Sequence, residues 1–151
     1  MRTCALAAAL ASVLLLSACG GDKDTSHQQH DNGTYEQYET TASIDVMPNL
    51  LSVYTDHTQN LYAAVGDVED ILKEVKCYCG CMDNSAIHDS LHRCFIAGQD
   101  EKGVKWTDHG AQCGTCLAEL QDAKRLKDEG KSLQEIKDFI DNKYKETSPQ
   151  M

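Results

Sequence analysis

Proline and phenylalanine occur twice each in 151 residues, tryptophan once, and the ten glycines follow no period. Collagenous, proline-rich and solenoid architectures are thereby excluded. Lys and Arg are the minority charge, 14 against 24 Asp and Glu for a net −10. The chain therefore lacks the cationic excess that neutralises nucleic-acid phosphates, and DNA and RNA are excluded as partners. No Gly-x-Ser-x-Gly elbow surrounds Ser85, Ser90 or Ser132, and no Gly-rich phosphate loop is present, so neither a serine hydrolase nor a nucleotide site is indicated. Val, Ile, Leu and Phe are too sparse for a thick core, so a small domain of this kind needs staples. Eight cysteines are there to supply them.

Met1-Arg2-Thr3 gives a short positive start, and the apolar run Ala5 to Leu16 falls short of the about 20 residues a membrane-spanning helix requires. This is the pattern of a secretory signal peptide. The run closes Leu16-Ser17-Ala18-Cys19, and a small-residue cleavage site directly before a cysteine resembles the bacterial lipoprotein signal. Cys19 is then the expected lipidation site, carrying palmitate-type chains that bind membrane lipid on the extracytoplasmic face of the bacterial cell membrane, while Cys4 leaves with the peptide. The expected organisation is signal peptide 1–18, lipidated N-terminus and linker 19–42, a cysteine-rich helical domain 43–145 and a flexible tail 146–151.

Gly20 to Thr41 contains no Val, Ile, Leu, Met or Phe, so it is expected to be a disordered tether. Leu61, Tyr62 and Val65 predict a short helix ended by Gly66. Val68, Ile71, Leu72 and Val75 predict a second, capped by Asp67, that delivers the chain to Cys77. A third helix is expected over Gly110 to Glu129, capped by Thr107 or Asp108, with Leu117, Leu120 and Leu126 on its inner side and Asp122 on its outer side. Gly130 stops it. Ser132 and Glu135 form a capping box for a last helix to about Tyr144, with Leu133, Ile136, Ile140 and Tyr144 buried. Apart from a helical turn near Ala86 to His92 and a turn at Gly98 to Gly103, the stretch from Cys81 to Trp106 reads as irregular. The predicted fold class is accordingly all-α, a small cysteine-rich helical domain with irregular loops.

Cys77, Cys79, Cys81, Cys94, Cys113 and Cys116 are spaced C-x-C-x-C, C and C-x-x-C. An even count outside the cytoplasm is compatible with three disulfides around a partner-binding module. Closely spaced thiolates on a turn containing Gly80 also suit a soft ion, zinc or copper, with His88 and His109 as further candidate ligands. His92 and His57 read as surface residues. A third reading is thiol-disulfide exchange, with Cys113 attacking and Cys116 resolving, since the first turn of a helix lowers a thiol pKa. The carboxylates Glu69, Asp70, Asp138 and Asp141 read as solubilising charge. The first reading is a non-catalytic metal-binding lipoprotein whose protein partner is a metal-donating or redox protein of the envelope.

Cys77-Tyr78-Cys79-Gly80-Cys81, with His88, Leu91, Cys94-Phe95, Trp106, Asp108-His109-Gly110, Cys113-x-x-Cys116 and Glu129-Gly130-Lys131-Ser132, resembles the PCYCGC-motif lipoproteins of bacteria over about Met47 to Tyr144. Lys76 stands where the family motif has proline, which leaves φ less restricted on entry to Cys77. The resemblance implies a lipid-anchored extracytoplasmic domain and no particular reaction. Cys113 to Tyr144 also resembles, over about thirty residues, the thiol-oxidoreductase subunit of cytochrome c maturation.

Overall fold

The computed structural model describes the backbone of residues 26–29 and residues 35–80 and 89–146. The signal peptide, Cys19, Cys81, His88 and the last five residues lie outside them. Among the described residues no helix is long and apolar enough to cross a membrane.

The fold is mixed α and β, which corrects the all-α expectation. Strands β1 (Ser26–Gln29), β2 (Tyr35–Thr41), β3 (Ile96–Asp100) and β4 (Gly103–Thr107) form one antiparallel sheet in the order β1-β2-β4-β3. Helices α1 (Asp56–Ala63), α2 (Val65–Glu74), α3 (Gly114–Asp128) and α4 (Leu133–Tyr144) supply the remainder, with short 3-10 turns at Asn49–Val53, Leu91–Cys94 and Gly110–Gln112.

Strand β2 lies in the stretch expected to be disordered, and the reason is chemical. Its inward residues are polar, Glu36, Tyr38 and Thr41, and their burial is compensated by hydrogen bonds rather than by apolar area. Tyr38 donates to Glu36 Oε2 at 2.6 Å, Thr107 donates to Glu36 Oε1, and Trp106 Nε1 donates to Thr41 Oγ1 at 2.8 Å. Asp108, expected to cap a helix, is instead buried, accepting from the Gln37 amide at 2.8 Å and from the Tyr54 hydroxyl at 2.9 Å.

The stretch that reads as irregular contains the β3–β4 hairpin. Asp100 pairs with Gly103, so Glu101 and Lys102 form the loop, and Asp100 Oδ1 accepts from the Lys102 amide at 2.8 Å. Gly103 has φ +132° and lies against the Thr41 carbonyl, where no side chain fits. The strand sequence Ile-Ala-Gly-Gln-Asp has little β propensity, so pairing with β4 decides its conformation.

The helices match the sequence more closely. Thr55 caps α1, accepting from the Thr58 amide at 3.2 Å, and Val65, Val68 and Leu72 of α2 are buried, but Gly66 sits inside α2 rather than ending a helix. Ser132 and Glu135 form the expected capping box, and Gly130 takes φ +76° between α3 and α4. Ile136, Ile140 and Tyr144 are buried, while Leu133 is 42% exposed. Asp122, assigned to the outer side of α3, is buried, because Lys143 and the Tyr144 hydroxyl both reach its Oδ2 at 2.6 Å. At the centre Tyr62 packs edge-on to Phe95 with ring centroids 5.1 Å apart, and its hydroxyl bridges the Thr107 carbonyl and the Ala111 amide, both at 2.9 Å.

Candidate metal and thiol centre

Three elements converge on the sulfur cluster. After α2 ends at Glu74, Val75 is buried and its carbonyl accepts from the Leu91 amide at 2.8 Å, which turns the chain inward at Cys77. Cys94 ends the 3-10 turn that enters β3. Cys116 lies in the first turn of α3 and Cys113 is its N-cap.

The sulfurs of Cys77, Cys79, Cys94 and Cys116 all lie within 4.8 Å of one another, and Cys77 Sγ is 3.6 Å from Cys116 Sγ. A tetrahedral zinc thiolate with bonds of about 2.3 Å has sulfur edges of roughly 3.8 Å, so this spacing fits a single ion. The donor set is all sulfur, which suits zinc or copper(I) and not the oxygen-seeking calcium and magnesium. Cys77, Cys94, Cys113 and Cys116 form no disulfide. Cys79 is disulfide-bonded, and no disulfide joins two described cysteines. Cys79 can ligate as a thiolate only after reduction.

The electrostatics are those of a buried cluster that holds one charge easily. Cys77 accepts from the thiols of Cys116 and Cys94 and is held down to about 3, while those two donors are pushed well above the ordinary thiol range. Glu119, one turn after Cys116 on the same face of α3, is fully buried. Burial, then the neighbouring Cys77 thiolate, pushes its carboxyl up to about 9, so it is a neutral acid at pH 7. Its Oε1 accepts from the Tyr78 amide at 2.8 Å, and the Tyr78 hydroxyl donates to Asp141 Oδ1 at 2.8 Å. Together these contacts tie the C-x-C turn to α3 and α4. Asp141, read as a solubilising charge, thus has a structural partner, and Glu119 is a site residue the sequence reading missed. The i, i+3 spacing from Cys116 was the available signal.

Cys113 stands beside the quartet. Its thiol is partly exposed and brought down to about 6, first by the Cys116 thiol, against burial, and then by the amides of Cys116 and Thr115 at the open end of α3. His109, a predicted ligand, is not brought to the sulfurs: its Nδ1 lies 3.7 Å from Glu36 Oε1, beside the sheet. The next residue, Gly110, packs so closely against the Phe95 ring and the Cys94 carbonyl that a side chain there would not fit. Cys81 and His88 lie outside the described residues. His92, read as a surface residue, is buried with Nε2 3.3 Å from Glu69 Oε1, and burial lowers its pKa.

No curated protein and no solved structure matches the chain. A family model described as a protein of unknown function with PCYCGC motif matches residues 8–150. The chain, whose own motif reads Lys76-Cys77-Tyr78-Cys79-Gly80-Cys81, belongs to that PCYCGC family.

Proposed function

We propose that this protein is a lipid-anchored extracytoplasmic lipoprotein whose domain binds one soft metal ion, zinc or copper(I), through Cys77, Cys79, Cys94 and Cys116. The observation that carries the reading is the convergence of four sulfurs within 4.8 Å from three separate elements. Binding would contribute folding free energy directly, since the ligands are scattered in the unfolded chain. Such a contribution suits a domain with few large apolar residues. The neutral Glu119 adds no charge to a thiolate set that is already anionic. The test is metal analysis and thiol counting on the same reduced sample. One zinc or copper per chain with four protected thiols is expected, and no retained metal would defeat the reading. For the anchor, Cys19→Ala should abolish palmitate labelling and release the protein from the membrane fraction.

A second reading, thiol-disulfide exchange, is favoured by the exposure and acidity of Cys113 beside buried Cys116. The Cys113 thiolate would attack a substrate disulfide and expel one substrate thiolate. Cys116 would then attack the Cys113 sulfur, forming the Cys113–Cys116 disulfide and releasing the second substrate thiol. An envelope dithiol donor would restore the reduced pair. Catalysed insulin reduction that is lost in Cys113→Ser would establish this activity, and its absence in the reduced wild type would remove it.

A further inference from the structure

Among the described residues, the metal reading leaves one thiol beside the cluster unused. Cys113 lies outside the quartet, yet its sulfur is in hydrogen-bond contact with Cys116, which also contacts Cys77 and Cys94. Cys116 is therefore shared between an outer pair, spaced i, i+3 at the start of the 15-residue helix α3, and the inner set. The inner residues Cys77, Cys94 and Cys116 are 1%, 0% and 0% exposed, whereas Cys113, like Cys79 on the C-x-C turn, is partly open. An ion entering such a site must exchange ligands one at a time at its rim.

Resting on the metal-site reading, we infer that Cys113 is the exchange ligand of this centre, taking a soft ion from a metal–thiolate donor and passing it inward. The ion is first held by Cys113 and Cys116, where the positive end of α3 favours thiolates. It then pivots about Cys116 as Cys77, Cys94 and Cys79, the last after a dithiol reductant has opened its disulfide and been oxidised to a disulfide itself, replace Cys113 and the donor's sulfurs. Each coordinate bond formed replaces one broken, the metal keeps its oxidation state, and each ligating sulfur that still carries a proton gives it to water. Removal of the ion by an acceptor runs the same steps in reverse. The fitting partner is a protein or small molecule that presents the ion on thiolates, since a ligand of equal softness exchanges without a large difference in affinity.

The full chain, reduced and loaded with one equivalent of metal, tests this by stopped flow. Zinc is drawn off by 4-(2-pyridylazo)resorcinol or delivered from zinc–glutathione, and copper(I) is drawn off by bathocuproine disulfonate. Cys113→Ser keeps a good helix cap, and Cys113→Ala removes any oxygen donor. Both variants should retain the wild-type stoichiometry and affinity but exchange at least tenfold more slowly in either direction. Unchanged rates would overturn the inference. So would lost affinity, which would make Cys113 a resident ligand. A wild-type protein that holds neither metal would defeat the site itself, and that result appears before any variant is made.

Discussion

Cys77 Sγ lies 3.6 Å from Cys116 Sγ, although the two residues are 39 positions apart in the chain. The contact joins the segment after α2 to the first turn of α3, and Tyr78 and Glu119 reinforce it through a 2.8 Å hydrogen bond one residue further on.

The contact predicts ligand dependence. Cys77→Ser and Cys116→Ser should each lower affinity for zinc or copper(I) more than about 100-fold, exceeding the roughly 10–100-fold typical of losing a group that only hydrogen-bonds a ligand. Competition against a chelator of known affinity measures it. Cys113→Ser should leave affinity near wild type, because Cys113 is outside the quartet.

Cys113 should alkylate with half-maximal rate near pH 6, where its thiol ionises, and reach a plateau by pH 7 to 8. An ordinary thiol would still be gaining rate at pH 9. Iodoacetamide labelling of the reduced metal-free protein, resolved by peptide mass, gives the profile. Bound metal at Cys116 should change it, since the Cys116 thiol is the main group that stabilises the Cys113 thiolate.

Asp122 should shape the acid limb of stability. Burial raises its pKa, but Lys143, Tyr144 and Arg125 outweigh burial and leave it below the usual 3.8. Its folded value is depressed, so its contribution is present above about pH 4 and is lost as pH falls through the lower folded value. Asp122→Asn should therefore cost about 1–2 kcal/mol at pH 7 and give a shallower loss below pH 4, measured by urea denaturation.

Gly110→Ala should destabilise the domain by about 1–3 kcal/mol, because the added methyl meets the Phe95 ring and lies 2.9 Å from the Cys94 carbonyl. Phe95 would have to move, and it packs on Tyr62. Thermal denaturation checks the cost. A lowered metal affinity in the same variant would show that the strain reaches Cys94.

Helices were legible in the sequence where their signals were local. The Ser132–Glu135 box, Gly130 and the stripe Leu133, Ile136, Ile140 and Tyr144 depend on residues within a turn or two of each other, and they appear as read except that Leu133 is exposed. The sheet was not legible for the opposite reason. Strand β2 buries polar groups whose acceptors and donors, Thr107, Asp108 and Trp106, lie more than sixty residues away. Read alone, Tyr35–Thr41 lacks the apolar alternation of a half-buried strand.

The candidate site divides in the same way. Sequence alone determined which sulfur ligands exist and that they are clustered along the chain, because thiol chemistry and spacing are local properties. Which sulfurs meet was decided by the tertiary structure. Cys94 enters the quartet and Cys113 stays at its rim, His109 turns toward Glu36, and Glu119 moves in as a neutral acid. Those outcomes follow from packing between α2, α3 and the sheet, where burial and a few long-range hydrogen bonds fix orientations that residue spacing leaves open.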